Sequence, residues 1–190
     1  MAITDKKQGV WNIEEVYNKQ NAGYWGYTSR GVGKALWAWG NNEYGVLGLN
    51  QGTSGTSYSL SSPIQLGTNV TWASLQGSRS TRMMGIKSDG TLWTWGRNQN
   101  GASGLNVGSN NVSSPTQVGT ATNWRSIGTI AIDSYLATKF DGTLWAWGSN
   151  ESGGLGLNEY DVHHSSPTQV GTDTNWDLLN HSSGKLTDDA

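Results

Sequence analysis

The chain has no cysteine, which excludes a disulfide scaffold, a thiol nucleophile and any metal centre built on thiolates. Charge is scarce: 14% of residues are charged and the formal net charge is −2. The longest basic run is Lys6-Lys7, so there is no electrostatic footprint for nucleic acid or an anionic membrane surface. Hydrophobic residues make up only 34% of the chain, low for an ordinary globular core, and the deficit falls on leucine, isoleucine and valine. No apolar run approaches membrane-spanning length. The opening "MAITDKKQGVWN" lacks the apolar stretch of a secretory signal. The expectation is a soluble chain that stays inside the producing cell or leaves it by lysis or as part of a particle.

What is present is aromatic and flexible. The 190 residues hold 27 glycines, 11 tryptophans and 7 tyrosines. Glycine in that number points to many tight turns, and each indole or phenol brings roughly 150–250 Å² of surface to bury. The tryptophans recur at a fixed spacing. Trp37, Trp93 and Trp145 lie 56 and 52 residues apart; Pro63, Pro115 and Pro167, each after Ser-Ser, lie 52 and 52 apart; so do Trp72, Trp124 and Trp176. The four extra residues of the first unit fall in "NQGTSGTSYSL", a loop insertion. A period of this length identifies a repeat architecture.

Each unit offers about four strands. "DGTLWTWG" and "DGTLWAWG" each put a strand after an Asp-Gly turn, a strong hairpin signal. "SSPTQVG" opens with a proline suited to a strand start or sheet edge. "NWRSI" and "YLATKF" supply the other two. Residues two apart on a strand share a face, so the two indoles of Trp-x-Trp point the same way, and the smaller Leu and Ala point the other way. The expected inter-blade core is Trp37, Trp39, Trp72, Trp93, Trp95, Trp124, Trp145, Trp147 and Trp176. An aromatic platform for sugars or bases is the competing use of the same rings.

The run "DG-T-L-W-x-W-G-x-N-x-x-G-x-L-G" followed by a Ser-Pro strand resembles the repeat of the regulator of chromosome condensation family. Residues 141–157 and 35–49 carry it well; in residues 89–105 the glycine-rich part reads "NGASGLN". The resemblance covers about residues 33–180 and implies propeller blades, which in that family form a seven-bladed ring. The expected fold is all-β: three propeller-like blades of about four antiparallel strands each, an incomplete or oligomer-completed β-propeller, with a short N-terminal helix. The divisions are 1–32 for an N-terminal anchor and 33–190 for the blades, in units of about 33–88, 89–140 and 141–190. The third unit decays into "NHSSGKLTDDA", a polar ending expected to be genuine. Three blades are too few for the four to eight of a closed ring. The open faces must be covered by copies of the chain, by the terminal segment or by a larger body.

Residues 7–27, "KQGVWNIEEVYNKQNAGYWGY", stand outside the repeat. Asn12 is an N-cap candidate with Glu15 three residues on, and Ile13, Val16 and Tyr17 follow helical spacing. A helix this short is unstable alone, so Val10, Trp11, Ile13, Val16, Tyr17 and Trp25 are expected to bury themselves in a partner or as a lid on the first blade. The segment resembles a leader at the start of virion proteins of marine phages, which implies attachment to a particle and the virion as location, with the cytoplasm as the alternative.

Site chemistry is sparse. His163 and His164 are adjacent and cannot chelate one ion together from a strand; His181 lies near the end. Asp89 and Asp141 are turn residues. Glu43 and Glu151 occupy equivalent loops, with Gln99 between them, and make no acid–base pair. No phosphate-binding Lys-Ser/Thr follows the glycines. The expectation is a non-enzymatic protein with no catalytic residues, cofactor or metal. Its expected role is structural or decorating, in a phage capsid fibre or tail. The partners are other virion proteins, copies of itself and a host-surface glycan or protein, with no nucleic acid and no membrane insertion. The alternatives are a bacterial lectin-like or protein-binding propeller module and a fragment of a larger exchange-factor-type propeller.

Overall fold

The Asp-Gly turns fold as the sequence dictates. Asp141 Oδ1 accepts from the Thr143 amide at 3.1 Å and the Thr143 hydroxyl at 2.6 Å, and Gly142 takes a positive φ of 80°. Asp89, Thr91 and Gly90 repeat the arrangement. Such turns join strands into antiparallel hairpins. The computed structural model describes residues 35–51, 59–68, 71–78, 81–177 and 179. The expected anchor, with Val10, Trp11, Ile13, Val16, Tyr17, Trp25 and the short helix, lies outside them.

The described residues form β1 (Trp37–Asn41), β2 (Ser59–Gln65), β3 (Trp72–Ser78), β4 (Arg82–Lys87), β5 (Leu92–Gly96), β6 (Val112–Gln117), β7 (Trp124–Ala131), β8 (Ser134–Lys139), β9 (Leu144–Gly148) and β10 (His164–Val170). They make two four-stranded antiparallel sheets, β3-β4-β5-β6 and β7-β8-β9-β10, and one two-stranded sheet, β1-β2. The fold is all-β, and the four-stranded meanders are propeller blades. Each blade starts at the "TW" or "NW" strand and ends at the Ser-Ser-Pro strand, so it draws on two consecutive sequence units. The prolines stand on edge strands, where a missing N–H leaves no gap in a ladder.

The three sheets share one register. Trp37 faces Gln65, Trp93 faces Gln117 and Trp145 faces Gln169, and each pairing carries an irregularity in the same region. β1 and β2 thus occupy the third and fourth strand positions of a blade.

The glycine of Trp-x-Trp-Gly is set by a close approach. Gly96 and Gly148 have φ of 100° and 99°, and a Cβ on either would overlap the carbonyl oxygen of Thr81 or Asp133 in the neighbouring hairpin.

Both faces of a blade are used. In the last sheet Trp124 meets Trp145 edge-on at 6.0 Å and Trp147 at 6.3 Å, while Tyr135 stacks on Trp147 at 5.9 Å and 19°. These rings share a face, as their two-residue spacing requires. They pack on Met84, Ile86 and Leu92 of the sheet before. One step earlier, Trp72 and Trp95 pack with Leu66 and Leu36 of the first sheet. Each blade therefore lays its indole face on the aliphatic face of its predecessor. Burying one indole of roughly 200 Å² contributes on the order of 5 kcal/mol before entropy.

Of the nine tryptophans expected in this core, Trp72, Trp95, Trp124 and Trp147 are buried and Trp93 and Trp145 half-buried. Trp37, Trp39 and Trp176 are exposed. The reason is position: no described sheet precedes β1, and Trp176 follows the last strand.

Candidate functional site: the loop side of the blades

Every long loop after Trp-x-Trp-Gly is built around one buried asparagine. The Oδ1 atoms of Asn42, Asn98 and Asn150 accept from the amides of Leu47, Ser103 and Leu155 at 2.9, 3.0 and 3.1 Å. Their Nδ2 groups donate to the carbonyls of Gln51, Gly108 and Glu159 at 3.1, 2.7 and 3.0 Å. The side chains are almost completely buried. A buried amide with its partners satisfied is a rigid hub, because leaving either partner unpaired costs about 1–3 kcal/mol. Sequence reasoning assigned these residues no role; their one signal was recurrence two positions after the glycine of Trp-x-Trp-Gly.

The loops also fasten neighbouring blades. The amides of Asn50 and Asn106 donate to the carbonyls of Ser113 and Ser165 at 2.8 and 2.7 Å. The Ser113 and Ser165 hydroxyls return bonds to the same asparagines at 3.2 and 2.9 Å. His163 joins this scheme: its Nδ1 accepts from the Asn150 amide at 3.1 Å, as Asn111 Oδ1 accepts from the Asn98 amide at 3.2 Å. The neighbouring His164 pairs with Glu159 at 2.8 Å. The two histidines thus have separate local partners.

Beneath the loops lies a buried charge pair. The Arg82 guanidinium meets the Asp133 carboxylate, and Arg82 Nε donates to the Arg97 carbonyl at 2.6 Å. Arg82 belongs to one blade and Asp133 to the next, so the pair fixes their relative position. Over this base the loops and the β7–β8 hairpin expose Val107, Ile130, Ile132, Tyr160 and Val162. Ile130 reaches the Gly154 region of the adjoining loop.

The opposite side carries the Asp-Gly turns and a repeated lysine–indole cluster. Lys87 Nζ lies 3.3 Å from the Trp93 ring centre and Lys139 Nζ 3.6 Å from that of Trp145. The two indole N–H groups donate to Thr91 and Thr143 at 2.7 and 2.8 Å. Burial against the rings pulls both lysines below their ordinary pKa, with Asp89 and Asp141 opposing. The Asp141 carboxyl is held below its usual value by bonds from the Thr143 hydroxyl and amide. For Asp89, desolvation acts upward, but the bonds from Thr91 outweigh it and the net direction is down. Cation–π contact and a carboxylate oxygen that accepts two hydrogen bonds suit a structural staple.

Among the described residues, no group of three or more His, Cys, Asp or Glu could hold a metal ion. No helix there is long and apolar enough to cross a membrane.

Residues 89–129 and 141–177 match the family model of the regulator of chromosome condensation (RCC1) repeat. Among solved structures, Prp20p from Saccharomyces cerevisiae, characterised for its binding to Gsp1p and histones, is similar at 21% identity and a TM-score of 0.63. The match covers 73% of this chain and 34% of that one. Human WBSCR16 is similar at 23% identity and 0.61, covering 73% and 35%. Yeast RCC1 (Prp20) bound to Kap60 is similar at 20% and 0.64, covering 73% and 33%. The chain thus spans about a third of the length of these structures. Residues 89–129 and 141–177 carry RCC1-type repeats, whose strands are shared out between successive propeller blades.

Proposed function

We propose that this chain is a section of an RCC1-type propeller that works by binding a protein through the loop side of its blades, without catalysing a reaction. The observation that carries this is the set of exposed apolar side chains: Val107, Tyr160 and Val162 on loops locked by the buried Asn98 and Asn150, with Ile130 and Ile132 beside them on the β7–β8 hairpin. Exposed apolar side chains on a rigid polar frame suit a protein-binding surface, because a partner gains by covering them and little ordering entropy is lost. The solved neighbour characterised for binding Gsp1p and histones supports protein binding as the mode. Attachment of residues 1–32 to a phage particle is a finer reading, carried by the leader resemblance in the sequence alone.

The test uses two variants of the full chain. Ile132→Ser with Tyr160→Ser alters the loop side, and Phe140→Ser alters the Asp-Gly side, where Phe140 is also exposed. Proteins retained by the wild type are identified, purified and titrated directly. The expected result is binding lost in the first variant and kept in the second. Loss in the second alone would overturn the assignment.

A further inference from the structure

The described blades display, at the first and the last of them, the two halves of a contact that the chain makes twice within itself. Internally, Trp95 Nε1 donates to the Val46 carbonyl at 2.8 Å, and Trp147 Nε1 to the Ala102 carbonyl at 3.2 Å. The floor under each indole is a glycine: Gly48 faces Trp95 and Leu66, and Gly104 faces Trp147 and Val118. Beside it, Gly45 closes on Ser113 and Gly101 on Ser165, with a Cβ at either placed only 2.7 or 2.6 Å from the serine Cα.

The repeat places a third indole and a third floor on the same molecule. Trp39 is the counterpart of Trp95 and Trp147, yet it is 59% exposed where they are 2% and 0%. At the other end, Gly156 is the counterpart of Gly48 and Gly104. It has the same left-handed φ of 70°, and Val170 stands beside it as Leu66 and Val118 do, but no indole among the described residues covers it. Gly153, the counterpart of Gly45 and Gly101, likewise has no described serine strand against it. Asn158 keeps the left-handed φ of 58° that Asn50 and Asn106 use to clasp Ser113 and Ser165. Ser61, the counterpart of those serines, is exposed on β2.

We propose that a second copy of this chain docks head to tail, with Trp39 of one copy over Gly156 and Val170 of the other and Ser61 clasped by Asn158. Shape and hydrogen bonding match because the contact continues the interface already present between blades. The indole N–H of Trp39 then meets the Gly154 carbonyl, the counterpart of Val46 and Ala102. Residues 174–177 support the direction of growth. The Trp176 amide donates to the Gly142 carbonyl at 3.1 Å, as the Trp124 amide does to the Gly90 carbonyl, so the chain leaves the last sheet by the path that leads into β7 one repeat earlier. A head-to-tail contact builds a ring when its rotation closes. The described residues of one chain form three sheets. Closed propellers use about four to eight blades, so two copies fall in that range and three exceed it. The assembly is a dimer with two equal contacts.

The experiment is sedimentation of the full chain over a broad concentration range, with disulfide trapping. The chain has no native cysteine, so Ser61→Cys with Asn158→Cys reports only this contact. The expected results are a species of twice the 20.4 kDa chain mass, a covalent dimer on mild oxidation of the double variant, and none from either single variant. Trp39→Ala is expected to weaken the dimer at least tenfold while keeping a cooperative melt, since its side chain is exposed in one copy. If Trp39→Ala fails to fold, the trapping decides. Wild-type monomer at every concentration with no trapped dimer would overturn the proposal and leave residues 1–34, or further blades, as the cover of Trp39. A dimer indifferent to Trp39→Ala, or one trapped by Ser61→Cys alone, would overturn it as well.

Discussion

The indole N–H of Trp147 donates at 3.2 Å to the carbonyl of Ala102, a residue of the preceding blade's loop 45 positions earlier. Trp95 and Val46 repeat the bond at 2.8 Å. One side chain thereby fills the gap between sheets and satisfies a loop carbonyl. Two substitutions separate these roles. Trp147→Ala removes both and is expected to destabilise by about 3–5 kcal/mol. Trp147→Phe keeps most of the volume and is expected to lose about 1–3 kcal/mol, from the unpaired carbonyl. Urea midpoints at constant slope measure both: equal losses would mean that the filled volume contributes nothing, and an unchanged midpoint in Trp147→Phe that the hydrogen bond contributes nothing.

Asn98 holds the Ser103 amide and the Gly108 carbonyl from inside its loop. Asn98→Ala strands both groups and is expected to cost on the order of 2–4 kcal/mol. Amide exchange should accelerate most within residues 98–111. Uniform acceleration across both blades would show that the hub is part of the global core and not a local frame.

Gly148 and Gly40 share a φ of 99° but differ in surroundings. A Cβ on Gly148 overlaps the Asp133 carbonyl, whereas one on Gly40 meets nothing within 4 Å among the described residues. Gly40→Ala is therefore expected to cost about 1–2 kcal/mol, the backbone penalty alone. Gly148→Ala should exceed about 3 kcal/mol, because the hairpin must also move. Thermal or urea unfolding of the pair checks the ordering.

The Asp141 carboxyl is held below its ordinary pKa by the Thr143 hydroxyl and amide. A lowered carboxylate stabilises the fold fully above its unfolded pKa of about 3.9, and the contribution is lost as pH falls through the lower folded value. Lys139 runs the other way. Burial disfavours its charge, so the folded chain gains stability as rising pH removes the proton. Asp141→Asn is expected to flatten the acid limb of a stability–pH curve and leave the alkaline limb in place. An unchanged acid limb would place the responsible carboxyl elsewhere.

Particular residues show how far the sequence could be read. Asp141-Gly142-Thr143 announced its turn, because the bonds that form it are made within three residues. Trp145 and Trp147 announced a shared face, because alternation along a strand is local geometry. The starting point of a blade was not legible: a repeat has no intrinsic first residue, and only the ladder from Trp72 to Gln117 shows which strands pair. Asn150 was not legible as a hub, since an asparagine next to a turn is written the same way whether it faces water or a buried carbonyl.

Local chemistry alone determined the strands, the turns, the period and the same-side pairing of the indoles, because each follows from neighbours a few positions apart. The tertiary structure decided which copy of one motif is buried and which is bare. Trp39 and Trp95 stand in near-identical sequence surroundings, yet one is 59% exposed and the other 2%. Burial is set by what lies across the gap, and the sheet that covers Trp95 is contributed by residues far away in the chain.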